Sequence, residues 1–134
     1  VTECLFVYGT LMRSAAAAEL GAEMRARLAR EAEWLGPATM AGRLYNLGRY
    51  PAMKPARSPG DTVFGEVYRL ACPRSAFRWL DPYEGLRPGA AAPDYRRCIR
   101  QARLATGERV DAWVYLYQKP VFEVCRVESG CWRP

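Results

Sequence analysis

The 134-residue chain contains no histidine. That absence excludes Ser-His-Asp and Cys-His nucleophile chemistry, together with the usual His-containing zinc sites. Lysine is nearly missing as well, with only Lys54 and Lys119. The five cysteines, Cys4, Cys72, Cys98, Cys125 and Cys131, form no C-x-x-C pair, so a Cys-only metal site lacks suitable spacing and no metal is expected. An odd number with no secretion signal reads as free thiols in a reducing compartment, a local Cys125–Cys131 disulfide being the alternative. No apolar run approaches the roughly 18 residues of a membrane span, and no basic stretch followed by a long apolar one opens the chain. The expectation is a cytoplasmic protein without membrane association. If it performs acid–base chemistry, the search narrows to its Asp and Glu residues.

What is present is an ordinary globular composition, half apolar and a quarter charged, of a length that suits a single domain spanning 1–134. The net charge of +6 raises the question of nucleic acid. However, the basic residues are almost all Arg and are scattered. The densest run, "YRRCIRQAR" (95–103), would place Arg on both faces of a strand. With no helix-turn-helix, zinc-finger or aromatic RNA-binding pattern, a nucleic-acid partner is not expected.

Along the chain, "ECLFVYG" (3–9) reads as a short buried strand ended by Gly. Residues 14–36 read as helical, with Ser14 as N-cap, a Leu20–Met24–Leu28 stripe and a break near Gly21. From Gly36 onward short strands and turns take over. Residues 37–53 suggest a hairpin or bent strand pair, 56–62 a turn, and 62–70 a strand in which Gly65 marks a bulge or the close approach of another backbone. "CPRSAFRWL" (72–80) reads as a short helix starting at Pro73 and stopping at Asp81, ahead of Pro82. A loop over 87–94 precedes two strands, 94–105 and 108–118, paired about "TG". In the second, Val110, Ala112, Val114 and Leu116 share one face, and Asp111, Trp113, Tyr115 and Tyr117 the other. The tail "VESGCWRP" ends in an anchoring Trp. About six strands and two helical pieces predict an α+β fold with a strongly curved or closed sheet.

Two stretches carry candidate chemistry. "VYGTL" (7–11) is either a strand-ending turn or a nest of backbone N–H groups for an anion, with Gly9 adopting a backbone conformation closed to other residues, Thr10 adding a hydroxyl and Tyr8 an aromatic wall. "LDPYEGL" (80–86) is either a small capping box built on Asp81, Pro82 and Glu84, or a site in which Glu84 is a general base. Apolar Leu80 and Leu86, the like charge of Asp81 and the negative end of the preceding helix would all raise its pKa toward a useful value.

Taken in order, "FVYGTL", "GRLYNLGRYPAM", "VFGEVYRL", "LDPYEG", "YRR", "AWVYLY" and "VESGCWR" resemble the gamma-glutamylcyclotransferase-like proteins, from Phe6 to Arg133. Cys131 stands where the pattern often has Asp, and Thr10 where Ser is common. The resemblance implies a compact mixed β-barrel with flanking helices and one cavity. It also implies a cofactor-independent enzyme that converts a gamma-glutamyl amide or amine to 5-oxoproline and a free amine. In that picture Tyr8, Gly9, Thr10 and Leu11 hold the glutamyl group, Glu84 is the general acid/base, and Tyr50, Tyr115 and Tyr117 line the pocket, core packing being the alternative for Tyr115. Loops 54–61 and 86–94 would form its outer wall. The competing expectation is a non-catalytic binder of a small carboxylate on the same scaffold.

Overall fold

A computed structural model describes residues 2–15, 21–48, 50–84 and 93–132. Five strands close into a barrel: β1 (Cys4–Val7), β2 (Ala32–Ala41), β5 (Thr62–Leu70), β6 (Tyr95–Leu104) and β7 (Arg109–Tyr117), in the order β1-β5-β2-β6-β7. All neighbours are antiparallel except β1 and β7, which pair in parallel through Cys4–Ala112 and Leu5–Trp113 and shut the barrel. β3 (Arg43–Asn46), β4 (Pro51–Lys54) and β8 (Arg126–Val127) form a second, small sheet. Among the described residues two α-helices, α1 (Ala22–Glu31) and α2 (Pro73–Tyr83), accompany the sheets. The α+β barrel is therefore present, with eight strands among the described residues where about six were expected.

The extra strand length comes partly from the predicted helix over 14–36. A 3-10 turn occupies Arg13–Ala15, so Ser14 caps no long helix. Gly21, in a left-handed conformation at φ +80°, starts α1 at Ala22, and the backbone becomes extended at Ala32. There Ala32 enters register with Leu70, and β2 pairs along the whole of β5. Barrel pairing overrides the helix propensity of "AEWL" (32–35). A register shift between Trp34 and Gly36, with Gly36 at φ +109°, supplies the bend that closure needs. Leu28 is buried and Met24 packs against the core; Leu20 lies outside the described residues.

Gly65 behaves as its position suggested. A Cβ there would sit 2.3 Å from the Val7 carbonyl oxygen and 2.7 Å from Phe6 Cζ. The bare backbone lets β5 press onto β1 just before the chain enters "YGTL". The tail is fastened similarly: the Phe64 N–H donates to the Gly130 carbonyl at 2.9 Å, and Trp132 is buried. All five cysteines are free, so Cys125 and Cys131 form no disulfide. Asp61 organises the 56–62 turn, accepting from the N–H groups of Arg57 and Ser58 and from the side chains of Arg43 (2.6 Å) and Arg126 (3.0 Å). No helix among the described residues is long and apolar enough to cross a membrane.

Candidate active site

β1 delivers the chain into a tight turn. The Met12 N–H donates to the Gly9 carbonyl at 3.0 Å, so Thr10 and Leu11 are the central residues of a β-turn. Such a turn uses neither central N–H, and those of Thr10 and Leu11 meet no acceptor among the described residues. The next two N–H groups, of Arg13 and Ser14, go to the carboxylate of Glu66, which also accepts from Trp34 Nε1 at 3.2 Å. Glu66 is buried, so an internal anion anchors the turn from below. Arg25 fixes it from the side by donating to the Thr10 carbonyl at 2.7 Å. Gly9 has no positive φ, which corrects the conformational role expected of it. What Gly9 provides is room, because a Cβ would lie 2.8 Å from Pro51 Cγ.

α2 supplies the other half. Ala76, Phe77, Trp79 and Leu80 bury its inner face. It begins at Pro73 as expected but does not stop at Asp81. Pro82 sits inside the last turn and the helix reaches Tyr83. Tertiary contacts offset the backbone hydrogen bond that Pro82 cannot donate. The Asp81 carboxylate accepts from Arg97 Nε at 2.9 Å, Arg97 Nη2 at 3.2 Å and the Tyr115 hydroxyl at 2.6 Å. The capping-box reading is thereby overturned: Asp81 and Glu84 stand at the C-terminal end of a helix, and Glu84 is its C-cap.

The two halves face one cavity of about 400 Å³. Tyr8, Gly9, Thr10, Leu11, Tyr50, Glu84, Tyr115 and Tyr117 all line it, so the structure brings together the residues that the resemblance assigns to the pocket. Six of the eight tyrosines contribute to the wall. Four of their hydroxyls are tied down: Tyr8 to the Tyr115 carbonyl (2.6 Å), Tyr83 to Thr10 Oγ1 (2.8 Å), Tyr95 to the Pro51 carbonyl (2.9 Å), and Tyr115 to Asp81. Tyr115 thus packs in the core and lines the cavity at once. The described outer wall is built from Leu47, Tyr50, Pro51 and Asp94 rather than from loop 54–61; most of loop 86–94, with Leu86, lies outside the described residues.

The electrostatics single out one group. Burial, then the nearby Asp81 charge, push the Glu84 carboxyl up from 4.5 to about 7. Burial also raises Tyr8, Tyr83, Tyr95 and Tyr115, which leaves these phenols neutral near pH 7.

Residues 5–134 match the family described as "Gamma-glutamyl cyclotransferase, AIG2-like". The chain belongs to this family. It is 31% identical over 135 residues to the gamma-glutamylcyclotransferase family protein YtfP of Escherichia coli K12, covering 96% of this chain and 94% of that protein. A Citrobacter rodentium protein of the same name is 36% identical over 89 residues, a match spanning 66% of this chain and 65% of that one. The fold is also that of an AIG2-like protein from Mus musculus, with a TM-score of 0.72 at 20% identity over 98% of this chain and 88% of the mouse chain.

Within this family member, sequence reasoning passed over several residues that shape the cavity. Glu66, Arg25 and Arg97 looked like ordinary charged positions on a strand or a helix, and no local pattern marks them. Asp81 was read as a capping residue or as a like charge beside Glu84, and only the second reading holds. A buried acidic residue in a strand whose neighbours are apolar, as in "VFGEVYRL", is the one available signal for Glu66.

Proposed function

We propose that this chain is a cofactor-independent gamma-glutamyl cyclotransferase in which Glu84 is the general acid/base. The observation that supports the reading is one cavity lined by Glu84, whose carboxyl pKa is raised by burial to about 7, and by Thr10 and Leu11, whose backbone N–H groups meet no acceptor among the described residues. A gamma-glutamyl amide carries its own nucleophile, an α-amino group that is mostly protonated at neutral pH. As carboxylate, Glu84 takes that proton. The freed amine attacks the γ-carbonyl and closes a five-membered ring, the ring nitrogen giving up its second proton to solvent. The C–N bond to the leaving amine then breaks, and Glu84 returns the proton to that amine. The products are 5-oxoproline and the free amine.

A pKa near the working pH suits a group that must first accept and then donate. In this reading the N–H groups of Thr10 and Leu11 hold the substrate α-carboxylate or the developing oxyanion. The tied-down tyrosine wall keeps the glutamyl chain folded for attack, a proximity effect that contributes several kcal/mol in well-oriented cases, about 7 at the low end of measured ones.

The test is a panel of gamma-glutamyl amino acids and gamma-glutamyl amines assayed for 5-oxoproline. The parent protein should turn over at least one of them. Glu84→Gln should lower kcat by two to four orders of magnitude, about the worth of a general acid/base. A folded Glu84→Gln with full turnover would falsify the mechanism. Saturable binding of the panel with no 5-oxoproline would favour a non-catalytic carboxylate binder.

A further inference from the structure

Behind Glu84 stands a group of residues that the reaction does not use directly. Asp81 lies three positions earlier on the last turn of α2, on the neighbouring face. Its carboxylate takes both Arg97 contacts and the Tyr115 hydroxyl, at 2.9, 3.2 and 2.6 Å. The Arg97 guanidinium lies 3.8 Å from the centre of the Phe77 ring and 4.6 Å from that of Trp113, and these two rings meet edge-on at 5.6 Å. Two aromatic faces and a bidentate carboxylate leave that guanidinium little freedom. At the other end, Tyr115 receives the Tyr8 hydroxyl on its carbonyl. One run of contacts therefore joins α2, β6, β7 and the turn after β1.

We propose that Asp81 and Arg97 act on Glu84 as an opposed charge pair, Asp81 holding the Glu84 proton on and Arg97 limiting that hold, while Tyr115 locks the pair to the cavity wall. Asp81 repels a second negative charge on the same helix turn. Arg97 reaches Glu84 only through Asp81, by neutralising part of that repulsion. The titratable groups that line the cavity with Glu84 are Tyr83 on α2, Tyr8 after β1, Tyr50 before β4, Asp94 before β6, Tyr95 on β6, and Tyr115 and Tyr117 on β7; Asp81 stands on the same helix turn as Glu84, with Arg97 of β6 against it. Asp94 is exposed, where water screens it. The pair at Asp81 is half-buried and is screened less.

The consequence for turnover rests on the reading of Glu84 as acid/base, but the charge coupling does not, and the experiment separates them. The Glu84 side-chain carbon is titrated by NMR in glutamate-labelled protein, its resonance identified by its loss in Glu84→Gln. Asp81→Asn keeps the shape of the contacts and removes the charge, so the Glu84 midpoint should fall by about one pH unit. Arg97→Met strips Asp81 of its counter-charge, so the midpoint should rise, by about half a unit. Arg97→Lys keeps the charge and should return it toward the parent value. Loosening of α2 alone would admit water in both charge-removing variants and move both midpoints down. Two shifts of the same sign, or none, overturn the proposal. If the midpoints move in opposite directions and the low-pH limb of kcat/KM follows them, both readings stand. If they move while Glu84→Gln retains full activity, the coupling stands and the catalytic role fails.

Discussion

Replacing Glu84 by Gln should stabilise the protein, and only above a defined pH. Glu84 titrates near 7 in the folded chain against 4.5 ordinarily. Below about pH 4.5 the carboxyl is protonated in both states and the shift has no effect. As pH rises from there, the unfolded chain releases the proton while the folded chain still holds it, which favours unfolding. Above about pH 7 both states are ionised and the full penalty is present. A displacement of about 2.5 pH units at 1.36 kcal/mol each is about 3 kcal/mol, and contact with cavity water reduces this to about 2–3 kcal/mol. Gln has nearly the same shape and no charge to desolvate. Urea unfolding of the parent and of Glu84→Gln at pH 4 and pH 8.5 reads the effect directly. The variant should gain about 2–3 kcal/mol on the parent between the two pH values, and most of the change should fall between pH 4.5 and 7. A difference between the two proteins that stays constant with pH would refute the reasoning, because it would mean that Glu84 is not desolvated. The catalytic loss and the stability gain should appear in the same variant, the expected signature of a site held at a cost to the fold.

Two further substitutions probe the scaffold. Gly65→Ala places a methyl 2.3 Å from the Val7 carbonyl oxygen, so β1 and β5 must separate; urea unfolding should show a loss of about 2–3 kcal/mol, and activity should fall with it because β1 leads into the "YGTL" turn. Glu66→Ala leaves the Arg13 and Ser14 N–H groups without their acceptor, which should cost about 2–3 kcal/mol and, under the proposed mechanism, raise KM more than it lowers kcat, since there the turn holds substrate while Glu84 remains in place.

The parts of this fold that were legible in the sequence are those specified locally. β1, β5 and the β6–β7 hairpin announce themselves through β-branched and aromatic runs bounded by glycine, and Gly65 was readable as a point of close approach. β2 was not legible beyond its second half. Its first residues favour a helix, and only pairing with β5, more than 25 residues away, makes them a strand. The candidate site follows the same division. Glu84 and the residues of "YGTL" stand out by type and spacing, and they do meet at one cavity. Of the environment that sets their properties, only the like charge of Asp81 and the apolar setting of Glu84 were readable. Arg97 reads as one more arginine in an arginine-rich strand until Phe77, Trp113 and Asp81 close around it. Gly9 shows the limit of residue type as a guide, because glycine was required for space beside Pro51 and not for its backbone freedom.

The parallel closure of β1 against β7 bears on how the molecule is made. The Tyr8 hydroxyl rests on the carbonyl of a residue 107 positions later in sequence. A chain growing from its N-terminus produces the "YGTL" segment early, yet that segment has no finished wall until Tyr115 and Tyr117 have been synthesised. Contacts of such long sequence separation slow folding, because loop closure must precede the reward. Until β7 exists, the edge of β1 that pairs with it in the folded barrel has no partner there. The cavity is therefore incomplete until β7 has followed β1 out of the ribosome.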